Sequence, residues 1–117
     1  MRNYKKYQVW KLAHEVTLDI YKITKTFPKS ELYGITSQLR RASSSVAANI
    51  AEGCGRESQA EFRRFLIIAN GSATEVEYFL ILSNDLNIID HDQYKTLINT
   101  VVLLNKKLNS LITTING

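Results

Sequence analysis

Between Gln38 and Arg56 the residues Leu39, Ala42, Val46, Asn49 and Gly53 recur at steps of three and four. That spacing puts side chains on one face of an α-helix, and it constrains the fold more than any other stretch. Leu32 and Ile35 extend the seam one heptad back, and Ile50 widens it. Its side chains are mostly small, so a neighbouring helix can come close. Gly53 and Gly55 are expected to stop the helix, because glycine takes the left-handed C′ conformation without a Cβ penalty. A buried Asn49 needs a hydrogen-bond partner, and one polar residue on such a seam can fix register. Glu52 and Arg56, four residues apart, can clamp the helix end as an ion pair.

Three more helices follow from the same reasoning. Val9, Trp10, Ala13, Val16, Ile20, Ile23 and Phe27 predict a helix from about Gln8 to Thr26, after a loosely docked arm at residues 1–7. Pro28 breaks that helix, and Ser30 is the expected cap of the next, which would run through about Gly53. Ser58 with Glu61 forms a capping box ahead of the seam Phe62, Leu66, Ala69, Ala73, Val76, Leu80, Ser83. A second stripe, Phe65, Ile68, Ser72, Phe79, Leu82 and Leu86, makes this third helix apolar more widely than one core needs, which predicts a subunit interface. Gly71 interrupts its middle at a cost of about 1 kcal/mol against alanine. Close packing on another helix backbone, such as that of Ala47, Ala48 and Ala51, is the expected compensation; a kink is the alternative. Asp90 with Gln93 repeats the capping logic before Tyr94, Leu97, Val101, Leu104, Leu108, Leu111 and Ile115. The expected fold is all-α: one domain over residues 1–117, an antiparallel up-down-up-down four-helix bundle.

Little in the chain suggests chemistry. A single cysteine, Cys54, excludes an intramolecular disulfide and a cysteine-built metal cage. There is no His-Glu-x-x-His, no Glu-x-x-His and no phosphate-cradling glycine loop ahead of a helix. His14 and His91 read as surface residues, and Ser43, Ser44 and Ser45 as packing residues bonded to the preceding turn. No catalytic residue, cofactor or metal is expected. No apolar run follows the first residues and none approaches the roughly 18 residues of a membrane span, so the expected location is the cytoplasm, without a membrane partner.

The charge is more telling. Residues 1–65 carry 12 Lys/Arg against 6 Asp/Glu, and residues 66–117 carry 3 against 5, within a net charge of +4. A polyanionic partner is one reading of that asymmetry. Arg40, Arg41, Arg56, Arg63 and Arg64 are the candidates to contact it. Arg40 and Arg41 lie about four turns from the end near Arg56, so the five cannot form one pocket, only a stripe roughly 20 Å long. A stripe suits a nucleic-acid backbone better than a small anion. The competing reading is a structural or adaptor oligomer that binds another protein.

The stretches Gln38-Leu39-Arg40-Arg41-Ala42-Ser43, Asn49-Ile50-Ala51-Glu52-Gly53-x-Gly55-Arg56 and Phe62-x-x-Phe65-Leu66-x-x-Ala69-x-Gly71-Ser72-Ala73-x-Glu75 carry a resemblance. With Val9-Trp10-x-x-Ala13 and Phe27-Pro28-x-x-Glu31-x-Tyr33-Gly34, they resemble the four-helix bundle proteins encoded in intervening sequences of bacterial 23S ribosomal RNA genes. The family in turn resembles the accessory protein of diversity-generating retroelements. The resemblance implies a non-enzymatic homo-oligomer, such as a pentamer, with RNA or DNA and a reverse transcriptase-like protein as partners. Asn70 stands where many relatives have arginine, which removes one positive charge.

Overall fold

The computed structural model describes residues 2–116. Four helices follow one another: α1 (Gln8–Thr24), α2 (Ile35–Cys54), α3 (Gln59–Asp85) and α4 (His91–Thr114), with no strand among the described residues. Each packs against its neighbour in sequence, and α4 closes back on α1. The result is the antiparallel four-helix bundle, about 43 Å long. The seams meet in one core, where Ala13, Ile20, Leu39, Ile50, Leu66, Ala69, Leu80, Val101 and Leu108 have no exposed surface.

The starts of α3 and α4 are set by caps. The Ser58 hydroxyl accepts from the Glu61 N–H at 3.1 Å, and the Asp90 carboxylate accepts from the Gln93 N–H at 3.0 Å. The start of α2 differs from expectation. Ser30 lies in a 3-10 turn, Lys29–Glu31, and α2 begins at Ile35 after Gly34. Leu32 therefore leaves the seam and is exposed. Pro28 and the 3-10 turn use up the residues that would have formed the extra helical turn.

The end of α2 also differs. Gly53 is inside the helix, and Gly55 is right-handed with φ −83°, so neither glycine makes a left-handed stop. The chain instead tightens into 3-10 bonds, Gly55 N–H to Glu52 C=O and Arg56 N–H to Gly53 C=O, both 3.1 Å. A left-handed residue appears after α3: Asn87 has φ 56°. The Ile88 N–H reaches the Ser83 carbonyl at 2.9 Å and the Asn87 N–H the Asn84 carbonyl at 3.0 Å, the two bonds of a Schellman end.

Gly71 is exposed, and a Cβ built on it would meet nothing within 4 Å. The expected helix–helix contact there does not exist within the chain. The close approach is at Gly53, where a Cβ would lie 2.8 Å from the Phe65 Cβ. Asn49 bonds within α2, to a serine that itself reaches α3. Its Nδ2 donates to the Ser45 carbonyl at 2.8 Å and the Ser45 hydroxyl at 2.9 Å, and that hydroxyl meets the Ser72 hydroxyl at 3.0 Å.

By length and composition, α3 alone among the described helices would be long and apolar enough to cross a membrane. Its apolar surface has a partner, since Phe62, Leu66, Ala69, Ala73, Val76 and Leu80 lie in the core between α2 and α4. Its outer face still exposes Ile67, Ile68, Tyr78 and Ile81.

Candidate nucleic-acid interface

The turn from α2 to α3 brings two of the five candidate arginines together. The Arg56 and Arg64 guanidiniums lie 4.9 and 4.8 Å from the centroid of one ring, Phe65. Phe65 is held in place from beneath by Gly53, whose missing side chain lets α3 come in. Each arginine also pairs with a neighbour on its own helix: Arg56 with Glu52 at 3.2 Å and Arg64 with Glu61 at 2.9 Å. All four side chains are about half exposed. Such pairs contribute about 0–1 kcal/mol, so a phosphate can displace the carboxylates at small cost.

A third arginine joins them that the sequence reading did not single out. Arg2 stacks over the Phe62 ring at 4.2 Å and donates to the Arg56 carbonyl and to Gln59 Oε1, both at 2.7 Å. Its partners are neutral, so its charge is not cancelled. The arm is therefore docked, not loose: Tyr4–Lys6 form a 3-10 turn, and Tyr7 meets Phe62 edge-on at 5.9 Å. The signal was present in Arg2, Lys5 and Lys6, a basic run interleaved with tyrosines.

Of the other three candidates, Arg63 shares this end of the bundle without joining the cluster, and Arg40 and Arg41 stand apart. Arg63 is half-buried on α3. Arg40 donates from Nε to the Thr24 hydroxyl at 3.0 Å and stacks over Tyr21 at 4.8 Å. Arg41 is exposed along an open groove between α2 and α3, with Gln38, Ser45, Ala48, Ser72 and Glu75. Arg40 and Arg41 stand roughly 20 Å from Arg56 at 1.5 Å per helical residue.

Antiparallel packing turns the uneven sequence charge into a polar molecule. The half of the bundle holding the start of α1, the end of α2, the start of α3 and the end of α4 carries Arg2, Lys5, Lys6, Lys11, Arg56, Arg63, Arg64, Lys106 and Lys107. Against these nine cations stand only Glu15, Glu52, Glu57 and Glu61, for a net of +5. The opposite half holds the remaining six cations and seven acids, a net of −1. A field of this shape steers a polyanion to one end.

Among the described residues, no group of three or more His, Cys, Asp or Glu side chains converges to hold a metal ion. Cys54 is buried, and burial pushes its thiol above the ordinary value, with Arg2 pulling weakly the other way.

Residues 5–110 match the model of a protein family described as 23S rRNA-intervening sequence protein. This chain belongs to that family. A crystal structure described as a protein of unknown function from the S23 ribosomal protein family, from Bacteroides thetaiotaomicron VPI-5482, superposes with a TM-score of 0.83 at 30% identity, covering 90% of this chain and 95% of that one. No curated protein matches the chain. In this 23S rRNA-intervening sequence protein, Asn70 faces α4, where its Nδ2 donates to Asn105 Oδ1 at 3.1 Å and to the Asn105 carbonyl at 3.3 Å. The position joins two helices instead of adding a cation to the basic half.

Proposed function

We propose that this protein is a non-enzymatic, cytoplasmic RNA-binding homo-oligomer whose basic half contacts the phosphate backbone. The observation that supports it is the cluster of Arg2, Arg56 and Arg64 on Phe62 and Phe65, at the end of the bundle where cations outnumber acids. Aromatic rings under guanidiniums hold the charges in place while leaving their N–H groups outward for phosphate oxygens. Arg63 adds to the same end, and Arg40 and Arg41 reach a backbone that continues along α2. Self-association repeats this surface around an axis, and the exposed Ile67, Ile68, Tyr78 and Ile81 of α3 supply apolar area for it.

The test is binding of a structured RNA as salt is raised. With about five phosphates contacted, log affinity falls against log salt with a slope of roughly −4. The same α3 face favours a second reading, an adaptor whose partner is another protein such as a reverse transcriptase-like enzyme. A salt-insensitive complex with a protein, and no RNA binding, would leave only that one.

A further inference from the structure

On the outer face of α1, Trp10, His14, Leu18 and Tyr21 recur at steps of four, four and three, one stripe about 16 Å long. Leu18 is 57% exposed and Tyr21 43%, and His14 is exposed as well. Trp10 is half-buried against the core, and the other three do little for it. They are nonetheless ordered against one another. The indole of Trp10 lies parallel to the His14 imidazole, with centroids 5.1 Å apart and planes 9° from parallel. Tyr4, from the docked arm, meets Trp10 edge-on at 5.2 Å. The far end of the stripe is capped by Arg40 over Tyr21.

Flat rings in line, with a cation at each end, match the way unpaired nucleotides are held: bases stack on aromatic faces while cations follow the backbone. Lys5, 5.9 Å from the Tyr4 ring centroid, supplies the cation at the near end, and the acids of α1, Glu15 and Asp19, point a quarter turn or more away from the ring of His14. A fully paired duplex gains nothing from these rings, because its base faces are already stacked on each other. The geometry points to the α1 stripe as a stacking track for a single-stranded segment of nucleic acid, leading from the Arg2 corner to Arg40. This inference rests on the nucleic-acid reading above and adds which form is bound and by which face.

Trp10 is the sole tryptophan, so the track carries its own probe. The full chain is titrated with a short oligouridine strand and, separately, with the same strand annealed to its complement. The single strand is expected to quench Trp10 emission as it saturates, whereas the duplex leaves emission unchanged. His14→Ala and Tyr21→Ala each weaken single-strand binding roughly fivefold to a hundredfold, and leave duplex binding as it was. Both positions are exposed, and an unchanged thermal melt confirms that the variants fold. Equal binding of both forms, with no quench and no effect of either variant, overturns the stacking track and leaves the arginine surface standing. Failure of both nucleic acids to bind at low salt overturns the nucleic-acid reading itself.

Discussion

Gly53 and Phe65 sit so close that a Cβ on the glycine would lie 2.8 Å from the phenylalanine Cβ, and 3.3 Å from both the Phe62 ring edge and its carbonyl. Two of these neighbours are rigid parts of α3, so the helix itself must move to admit a methyl group. Gly53→Ala is expected to lower stability by about 1–3 kcal/mol through overpacking. It should also shift Phe65 and so loosen both guanidiniums stacked on it. A urea melt measures the first effect, and RNA affinity of the folded fraction the second. Wild-type stability in the variant would mean that α2 and α3 are not held this tightly.

Gly71 predicts the opposite sign. Nothing lies within 4 Å of its missing side chain, so alanine fits without displacement and improves helix propensity. Gly71→Ala should stabilise the chain by up to about 1 kcal/mol. Light scattering on the same variant shows whether Gly71 matters between copies. A more stable chain that no longer associates would place it in that contact; a destabilised one would show that some element presses on α3 there.

Arg56 and Arg64 should affect binding more than folding. An exposed stack on an aromatic ring is worth about 0.5–1 kcal/mol, so each alanine variant stays folded. Each lost phosphate contact lowers the salt slope by about 0.9, and the double variant by roughly twice that. Arg41→Ala, at the other half of the bundle, is expected to act less. RNA titrations at several salt concentrations give all the slopes. Equal slopes in wild type and double variant would remove these arginines from the interface.

Cys54 gives a pH prediction. Burial raises its thiol above the ordinary 9.0, and the nearby Arg2 charge offsets only part of that rise. The folded chain thus holds the thiol proton more tightly than the unfolded chain does. The resulting stability is fully present below pH 9.0 and is lost as pH climbs through the folded-state value. Cys54→Ala should therefore flatten the decline in stability above that pH, apart from a constant packing loss. Denaturant melts of both proteins across the alkaline range test it. Parallel declines would sink the idea.

The bundle itself was legible in one dimension. Four seams at helical spacing, Pro28, and the caps Ser58 and Asp90 name the helices, because helix formation and capping depend on residues within a few positions of one another. Short links then leave antiparallel neighbours as the simple arrangement. Errors arose where local signals competed. Ser30 is a good cap residue, yet it was taken into the 3-10 turn after Pro28, and α2 started at Ile35. Gly55 could have gone left-handed, but the tight turn into Ser58 kept it right-handed.

The pattern of glycines and charges was settled only in three dimensions. Gly53 and Gly71 look alike in sequence, one on a seam and one mid-helix. Which of them meets a neighbour depends on where the axes of α2 and α3 converge, and that is a property of packed volumes rather than of spacing. Arg2 and Arg56 are 54 residues apart, yet the arm crosses to the end of α2 and bonds its carbonyl. The sequence by itself determined that the chain is helical, basic and without catalytic motifs. The tertiary structure decided that its cations gather at one end, because antiparallel packing returns the chain to that end at the start of α1, the end of α2, the start of α3 and the end of α4.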